Sequence, residues 1–503
     1  MIKNFKWLLL VSLAFAACNS DDDDQPVVQV PVTAGTANFS KYVALGNSLS
    51  AGYMDGALYI KGQENSWTKI LSDQFKLAGG GEFRIPYMND NNGALLLGGN
   101  IITENRLYFR QTDDDGNPVT PSPTRLPLDQ FPPTNEIGVP LTGPFNNMGV
   151  PGAKVFHLLA PGYGNVAGVP SGASNPYFVR FASSPSTTIL ADAAAQSPTF
   201  FSLWIGNNDI LSYATTGGIG VNQISNTDPS TYGANDITNP NVFASAYSAI
   251  VDQMTANGAK GVVANIPDVT TIPYFTTVPF NPVPLDAAKA GALNSGYAAY
   301  NGGLAVALGA GYISADEKAK RTIQFVEGQN PVVIVDSYLT NLSALGLPSY
   351  RMATAEDLII LPASAYIGTL VGGNPNAING VSVPLADQWV LSKNEVDEVK
   401  TANEAFNAII ASVAASKGLA FVDAKQLMTD LSQGGIVSNG FTLTSALVFG
   451  TAFSLDGIHP TARGYALLAN EFSKAINQTY GSTLPMVDIS KYNAMFPKSF
   501  PEN

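Results

Sequence analysis

The chain of 503 residues has a single cysteine, Cys18, and only two histidines, His157 and His459. One cysteine cannot form a disulfide within the chain, so its stability has to come from a hydrophobic core. Two histidines exclude a histidine-rich metal site, and neither a metal nor an organic cofactor is expected.

Basic residues are also scarce, since 26 Lys and Arg stand against 39 Asp and Glu and give a formal net charge of -13. This balance argues against nucleic-acid binding, which depends on basic patches, and is compatible with neutral or weakly polar substrates. The composition is 45% hydrophobic and 13% charged, with 47 Gly and 33 Pro. Such a composition is typical of a globular protein with a large core and many turns.

The N-terminal apolar run, Trp7 to Ala17, is too short to span a bilayer as a helix and follows two lysines. It leads into Phe15-Ala16-Ala17-Cys18, which resembles a bacterial lipobox. The resemblance implies a signal peptide over residues 1–17 and a lipidated Cys18 as the mature N-terminus. The alternative is an ordinary secretory signal with Cys18 close to the cleavage point.

Residues 18–38 are predicted to be a solvated tether, because the four adjacent charges Asp21 to Asp24 will not pack and Pro- and Val-rich sequence follows. Acidic residues just after a lipidated cysteine resemble the surface-export signal of Bacteroidetes lipoproteins, whereas a plain solvated spacer is the alternative. The resemblance implies a surface-exposed outer-membrane lipoprotein of the cell envelope, in contact with the membrane through its anchor only.

Apolar runs alternate with helical patterns along the rest of the chain, which predicts a parallel sheet with helices on both faces. Predicted strands are Tyr42–Leu45, Phe200–Ile205, Gly261–Ile266 and Leu419–Asp423. Predicted helices are Val242–Met254, Thr461–Ile476, and one that starts at the capping box Ser392-Lys393-Asn394-Glu395 and ends at Gly418. Residues 56–145 and 270–390 have weak periodicity and are predicted to be insertions of loops and small elements.

Four short motifs lie at the ends of apolar runs or at the starts of helical patterns. In chain order they are Gly46-Asn47-Ser48-Leu49, Asn147-Met148-Gly149-Val150-Pro151-Gly152, Gly206-Asn207-Asn208-Asp209 and Asp456-Gly457-Ile458-His459-Pro460. Together they provide a serine nucleophile, a histidine base, an aspartate to orient it, and N–H donors for an oxyanion. The set is what an acyl-transfer hydrolase needs.

Ser48 is the candidate nucleophile, because it follows a predicted strand of a parallel sheet and the carboxyl ends of such strands expose functional groups. His459 is the candidate base and Asp456, three residues earlier, the group that orients it. Taken alone, Ser48 could be a turn residue and Asp456 with His459 a structural loop. His157 is expected to be a packed or capping residue.

The candidate oxyanion donors are the backbone N–H groups of Ser48 and Gly152 and the side-chain amide of Asn208. Taken alone, Gly152 would be read as part of a tight turn and Asn208 as a helix N-cap. Finding every one of these residue types in this order favours the catalytic interpretation.

In this order the motifs resemble those of the SGNH (GDSL-like) hydrolase family, although Asn47 replaces the Asp of the Gly-Asp-Ser-Leu block. The resemblance implies a three-layer α/β/α, flavodoxin-like fold and places Ser48, Asp456 and His459 in the catalytic triad. It assigns Ser48, Gly152 and Asn208 to the oxyanion hole, with Asn147, Gly149 and Asp209 in supporting positions. The hydrolase domain is expected over residues 39–480, followed by a C-terminal tail over 481–503.

The motifs leave the substrate open, because the family includes lipases, lysophospholipases, thioesterases and carbohydrate acetylesterases. Short acyl or O-acetyl groups on alcohols or sugars are expected, since nothing near the motifs looks like a long apolar lid helix. One alternative is a lipase or lysophospholipase of the same fold. Others are a glycan-binding surface lipoprotein without turnover and a purely structural outer-membrane lipoprotein.

Overall fold

The computed structural model describes residues 31–113 and 118–500. The predicted signal peptide, Cys18 and the acidic run Asp21 to Asp24 therefore lie outside the described residues. The last part of the predicted tether is already attached to the folded chain, because the N–H of Thr36 donates to the carbonyl of Tyr480 at 2.8 Å. The side chain of Ala37 also packs against the core, so ordered contacts begin before residue 39.

Five parallel strands form the central sheet, and their carboxyl ends share one edge. They are β1 (Tyr42–Gly46), β2 (Asn147–Gly149), β3 (Phe200–Trp204), β4 (Lys260–Ala264) and β5 (Ala420–Val422). The spatial order β2-β1-β3-β4-β5 is that of flavodoxin-like sheets. β1 and β3 are buried along their whole length, so they read as continuous apolar runs and not as alternating ones. The predicted fold class is confirmed.

Helices cover both faces of this sheet. The main ones are α1 (Ser48–Ala51), α2 (Trp67–Leu77), α3 (Ile189–Ala194), α4 (Asn208–Thr215), α5 (Pro240–Thr255), α6 (Lys393–Lys417), α7 (Ala424–Gln433) and α8 (Ala462–Tyr480). On one face α2 and α8 pack together, with the rings of Trp67 and Phe472 stacked at 3.9 Å between centroids. On the other, α5 and α6 pack through stacked Phe243 and Phe406 at 4.2 Å.

The ends of the predicted helices follow the capping signals in the sequence. The N–H of Ser392 donates to the carboxylate of Glu395 at 2.7 Å, and Gly418 ends α6 in the left-handed conformation. Thr461 caps α8, because its hydroxyl accepts the N–H of Gly464 at 3.0 Å. This cap fixes the helix that directly follows the fourth motif.

Apart from α2 (Trp67–Leu77), which covers the sheet, the segments 56–145 and 270–390 form small elements outside the central sheet. The strands are Leu95–Leu97 with Asn100–Ile101 and Asn135–Glu136, Leu107–Thr112 with Pro118–Arg125, Val283–Leu285 with Gly328–Asn330, Val333–Val335 with Tyr350–Met352, and Leu358–Ile359 with Val390–Leu391. Another hairpin pairs Ile436–Ser438 with Phe441–Leu443. Further α-helices are Ile60–Glu64, Pro176–Val179, Pro273–Thr276, Ala287–Gly296, Ala298–Gly309 and Ala315–Arg321.

Short 3₁₀ helices complete the described chain, and two of them follow strands of the central sheet. These two are Val155–Leu159, after the second motif, and Val269–Thr271, after β4. The others are Val166–Ser171, Pro229–Thr231, Ser343–Leu345, Leu361–Ala365, Val371–Gly373, Asp387–Trp389 and Ile489–Lys491. Within residues 31–113 and 118–500, no helix combines the length and the apolar character needed to cross a membrane.

Candidate active site

Ser48 lies directly beyond the carboxyl end of β1, where it is the first residue of α1. The turn needs Gly46, because a Cβ there would lie 2.2 Å from the hydroxyl oxygen of Ser50 and 2.5 Å from the carbonyl oxygen of Trp204. Ser48 is 8% exposed and has a helical backbone, so its own N–H is one of the first N–H groups of α1, which have no acceptor inside the helix.

Asn47 joins the first motif to the third. Its side-chain oxygen accepts the N–H of Leu49 at 3.0 Å, and its amide donates to the side-chain oxygen of Asn207 at 3.1 Å. An ionised aspartate at position 47 has no N–H to donate, so the second bond depends on the asparagine. The departure from the Gly-Asp-Ser-Leu block that this motif resembles is therefore matched by a partner in this chain.

The fourth motif brings its histidine and aspartate to Ser48. Nε2 of His459 lies 2.9 Å from Oγ of Ser48, and Nδ1 of His459 lies 2.9 Å from Oδ2 of Asp456. The side chains of His459 and Asp456 are 12% and 11% exposed. The three side chains form one continuous hydrogen-bonded relay across more than 400 residues of sequence.

The carboxylate of Asp456 is held in its charged form. Burial alone would raise its pKa, but the interaction with His459 and the N–H groups of Ile458 and His459 outweigh burial and hold the pKa at about 2. A carboxylate charged at neutral pH keeps the proton of the neutral imidazole on Nδ1. Nε2 then faces Ser48 as an acceptor.

A second aspartate supports this carboxylate. Asp55 has a φ of 54°, in the left-handed region, and the turn aims the N–H of Gly56 at Oδ2 of Asp456 at 2.8 Å. The hydroxyl of Ser454 accepts the N–H of Asp55 at 2.9 Å and donates to Oδ1 of Asp456 at 3.1 Å. This support was not predicted, because the Asp55-Gly56 dipeptide indicates a turn but not the partner of that turn.

Asp55 is itself buried and bonded on both oxygens. One oxygen accepts the hydroxyl of Tyr59 at 2.7 Å and the other the N–H of Leu455 at 3.1 Å. Burial raises the pKa of Asp55 to about 6, against the lowering effect of these two hydrogen bonds, and the nearby charge of Asp456 raises it further.

Asn208 is the first residue of α4, and it does not cap that helix. The N-cap position belongs to Asn207, and the Asn208 amide donates to the carbonyl of Ala153 at 2.9 Å. That bond uses one of two N–H groups on the amide, and the other remains for a ligand. Because Asn208 lines a cavity with Ser48 and His459, the structure brings these three side chains together.

Gly152 follows β2 with a φ of 81°, and it is anchored through its neighbours. The carbonyl of Pro151 accepts the amide of Asn175 at 2.8 Å, and that of Ala153 accepts the amide of Asn208. Gly152 does not line the cavity that contains Ser48. It lines a larger cleft of about 930 Å³.

The flanking motif residues form hydrogen bonds that hold neighbouring elements together. The amide of Asn147 donates to the carbonyl of Ser50 at 2.9 Å, which fixes β2 against α1. The carboxylate of Asp209 accepts the N–H of Val155 at 3.0 Å. Burial raises the pKa of Asp209 to about 6, although hydrogen bonds and Lys154 oppose the rise.

His157 is a packed capping residue, as its sequence context predicts. Its Nδ1 accepts the N–H of Lys154 at 3.0 Å, and its ring stacks on Tyr163 at 4.4 Å between centroids. Burial, followed by the charge of Lys154, lowers the pKa of His157 to about 3, so the imidazole is neutral at physiological pH.

The cavity beside Ser48 is small and apolar. It has a volume of about 90 Å³, and His459 is the only titratable residue among those that line it. Among the described residues no group of three or more His, Cys, Asp or Glu side chains is placed to hold a metal ion.

No protein-family model and no curated protein matches this chain. Among solved structures, an acetyl-xylooligosaccharide esterase variant from Geobacillus is similar over 88% of this chain and 96% of its own, at 8% identity and a TM-score of 0.31. An α/β hydrolase from the metagenome of Lake Arreo covers the same shares at 10% identity and a TM-score of 0.31. An extracellular lipase from Streptomyces rimosus covers 87% and 98% at 13% identity and a TM-score of 0.27. Likenesses at this level do not bear on the activity of this chain.

Proposed function

We propose that this protein is a serine hydrolase of carboxylic esters. The observation that carries the proposal is the relay from Ser48 through His459 to Asp456, with 2.9 Å between the atoms at both steps. Such a relay can remove the serine proton and stabilise the imidazolium that results. A Ser-His-Asp relay next to a cavity is the arrangement that acyl transfer requires.

In the proposed reaction, Oγ of Ser48 attacks the acyl carbon while its proton passes to Nε2 of His459. The bond to the alcohol oxygen breaks, and His459 returns the proton to that oxygen, which leaves an acyl group on Ser48. A water molecule then attacks the acyl carbon, gives a proton to His459 and displaces Ser48. The serine recovers its proton, and the products are a carboxylic acid and an alcohol.

The negative charge of the tetrahedral intermediate needs donors aimed at the former carbonyl oxygen. Ser48 and Asn208 line one cavity, and Gly152 is connected to Asn208 through Ala153. This proximity supports the proposed oxyanion hole of the Ser48 N–H, the Gly152 N–H and the Asn208 amide.

The assignment to the SGNH family and the export route are part of the same proposal. The four motifs and the strand order support an SGNH-type, GDSL-like esterase. The lipobox-like segment ending at Cys18 supports a lipid-anchored protein of the outer membrane, displayed at the cell surface. A lipase or lysophospholipase is disfavoured by the small volume of the cavity beside Ser48. A binding protein without turnover is disfavoured by the complete relay.

The test is hydrolysis of p-nitrophenyl acetate by the purified protein and by Ser48→Ala, His459→Ala and the double variant. Each single variant is expected to lose at least about 10⁴-fold in kcat, and the double variant little more, because the two residues act as one unit. Ser72→Ala is the matched control, since Ser72 is a buried serine on α2 whose hydroxyl donates to the carbonyl of Lys69.

A fluorophosphonate reagent should modify Ser48 and abolish hydrolysis with the same time course. Near wild-type turnover by either single variant, with circular dichroism showing an intact fold, would overturn the assignment of that residue. Equal loss in Ser72→Ala would point to damaged folding as the cause.

A further inference from the structure

One wall of the cavity beside Ser48 is a helix that was not predicted from the sequence. Helix α7 directs the stripe Ala424, Leu427, Met428 and Leu431 at the cavity, which is one face of a helix at spacings of three and four residues. No predicted helix covered these residues, although α7, with ten residues and one apolar face, is not a long apolar lid helix of the kind considered in the sequence. α7 follows β5 directly, so it lies at the same sheet edge as Ser48.

The other walls of the cavity are also apolar. Leu211 of α4, Ile272 after the 3₁₀ helix that follows β4, and Leu467 and Leu468 of α8 close it, and no Asp, Glu, Lys or Arg lines it. The polar side chains that line it are those of the motifs, so hydroxyl groups of a sugar or a polar alcohol directed at the apolar walls would lose their hydrogen bonds to water without finding partners. An alkyl chain would gain from the same surroundings.

The order of bond breaking distinguishes the two halves of an ester. The alcohol has to leave before water attacks, whereas the acyl group stays bonded to Ser48 through both steps. A small pocket that starts at Ser48 therefore suits the acyl group. The cleft of about 930 Å³ at Gly152 leaves room for a larger alcohol.

The volume between the apolar walls limits how much of an acyl chain can be buried there. An apolar cavity of about 150 Å³ is known to hold benzene, which has six carbons. On that scale a cavity of about 90 Å³ holds roughly four carbons.

Resting on the proposed function, we propose that this cavity is the acyl-binding pocket, that it accepts chains from acetyl to butyryl, and that Met428 and Ala424 set this limit. Met428 is 4% exposed and Ala424 3% exposed, so both side chains are packed within the wall. Met428→Ala removes side-chain volume from the wall, and Ala424→Leu adds it. The two variants should move the length limit in opposite directions.

The experiment measures kcat/KM for p-nitrophenyl acetate, butyrate, hexanoate and octanoate. Because one methylene in a tight apolar pocket changes kcat/KM by roughly 10–200-fold, the wild type should lose at least about tenfold from butyrate to hexanoate. Met428→Ala should reduce that loss by about tenfold, and Leu431→Ala is a second enlarging variant should Met428→Ala fold poorly. Ala424→Leu should lower the butyrate-to-acetate ratio by about tenfold.

Met254→Ala is the matched control. Met254 is 2% exposed on α5, on the opposite face of the sheet from α8, and does not line the cavity. This variant should lose a comparable amount of packing and leave the ratios of kcat/KM between esters unchanged. A second series fixes the acyl group as acetyl and lengthens the alcohol, and Met428→Ala should not alter its ratios.

One outcome would overturn the acyl-pocket proposal alone. In it, hydrolysis depends on Ser48, but the ratios of kcat/KM between acyl chains are the same as in the wild type in Met428→Ala, Leu431→Ala and Ala424→Leu. A response of the alcohol series instead of the acyl series would also overturn it. Loss of the proposed function itself has a different signature, which is the absence of Ser48-dependent hydrolysis with every ester.

Discussion

At the scale of single residues, asparagines connect the motifs to one another. Asn47 bonds to Asn207, Asn147 to the carbonyl of Ser50, and Asn208 to the carbonyl of Ala153. Each bond spans more than 50 residues of sequence. The motifs therefore share a rigid framework of amide hydrogen bonds, which suits a site that has to be organised before its substrate arrives.

Asn208→Ala is expected to lower kcat by about 10²–10³ and to change KM little, because a donor aimed at a developing oxyanion acts mainly in the transition state. Asn208→Asp keeps the size of the side chain but has no N–H, so it should be at least as damaging. Steady-state kinetics with p-nitrophenyl acetate measure both effects.

The control for that experiment is Asn470→Ala on α8. Asn470 is 5% exposed and its amide donates to the carbonyl of Val487 at 2.9 Å, so its loss disturbs a buried amide that does not line the cavity beside Ser48. This variant should lower the midpoint of thermal unfolding and leave kcat unchanged. A large rise in KM for Asn208→Ala with kcat unchanged would contradict the oxyanion role.

The residues that carry side-chain chemistry could be found in the sequence, whereas their support could not. Ser48, Asp456 and His459 stand in short, recognisable motifs. Asp55 and Gly56 act on Asp456 through a turn and a backbone N–H, and the partner lies 400 residues away in sequence. Spacing along the chain carries no information about such a contact.

At the scale of elements, α6 contains a buried carboxyl group next to its N-terminus. Glu395 is 2% exposed and accepts the N–H of Ser392. Burial raises its pKa to about 7, the hydrogen bonds from Ser392 oppose this, and Asp387 and Asp336 raise it further. The folded protein therefore keeps a proton on Glu395 in a range where the unfolded chain has lost it.

The sign of the resulting pH dependence follows from linkage. Between the ordinary value of 4.5 and about 7, the folded state binds more protons at Glu395 than the unfolded state does. This contribution to the free energy of unfolding is fully present below that range and is lost as pH rises through it. Glu395→Gln should therefore make the free energy of unfolding fall less steeply from pH 4.5 to pH 7.5.

Urea unfolding at several pH values measures this slope. Glu404→Gln is the matched control, since Glu404 is exposed on the same helix and its replacement removes the same formal charge at the surface. A wild-type slope in Glu395→Gln would show that Glu395 ionises alike in the folded and unfolded chain.

Elements with a clear signal in their own sequence were predictable, and the others were not. β1 and β3 are largely apolar over five residues, β4 has four small or apolar residues after Lys260, and α6 has signals at both ends. β2 is only Asn147-Met148-Gly149, with one apolar side chain, and it forms by pairing with β1 along one edge. Its existence depends on its partner, so no pattern in its own sequence reveals it.

At the scale of the whole molecule, the two ends of the sheet have separate tasks. The carboxyl ends of the strands carry Ser48 and α4, and α7 follows β5 there. At the opposite edge, the side chain of Lys260, the first residue of β4, donates to the carbonyl of Thr36 at 2.6 Å. The chain thus joins the fold at the edge remote from the candidate active site.

This arrangement bears on the proposed lipid anchor. An anchor at Cys18 would connect to the fold through residues 31–38 and hence at the amino ends of the strands. The edge that carries Ser48 would then lie at the end of the fold opposite the point of attachment. Hydrolysis of soluble esters should accordingly not depend on the anchor.

Cys18→Ser is expected to shift the protein from the detergent phase to the aqueous phase and to leave kcat/KM for p-nitrophenyl acetate unchanged. Phase partitioning and steady-state kinetics on the two proteins measure this, and mass spectrometry of the wild-type N-terminus should find lipid on Cys18.

A variant with Asn at all four positions from Asp21 to Asp24 keeps the cysteine and should stay in the detergent phase. It should, however, lose accessibility to protease added to whole cells if the acidic run directs surface display. If the wild-type protein instead begins after Cys18 with an unmodified residue, the proposed lipid anchor is wrong. A loss of activity in Cys18→Ser would contradict the expectation that hydrolysis at one edge of the sheet is independent of attachment at the other.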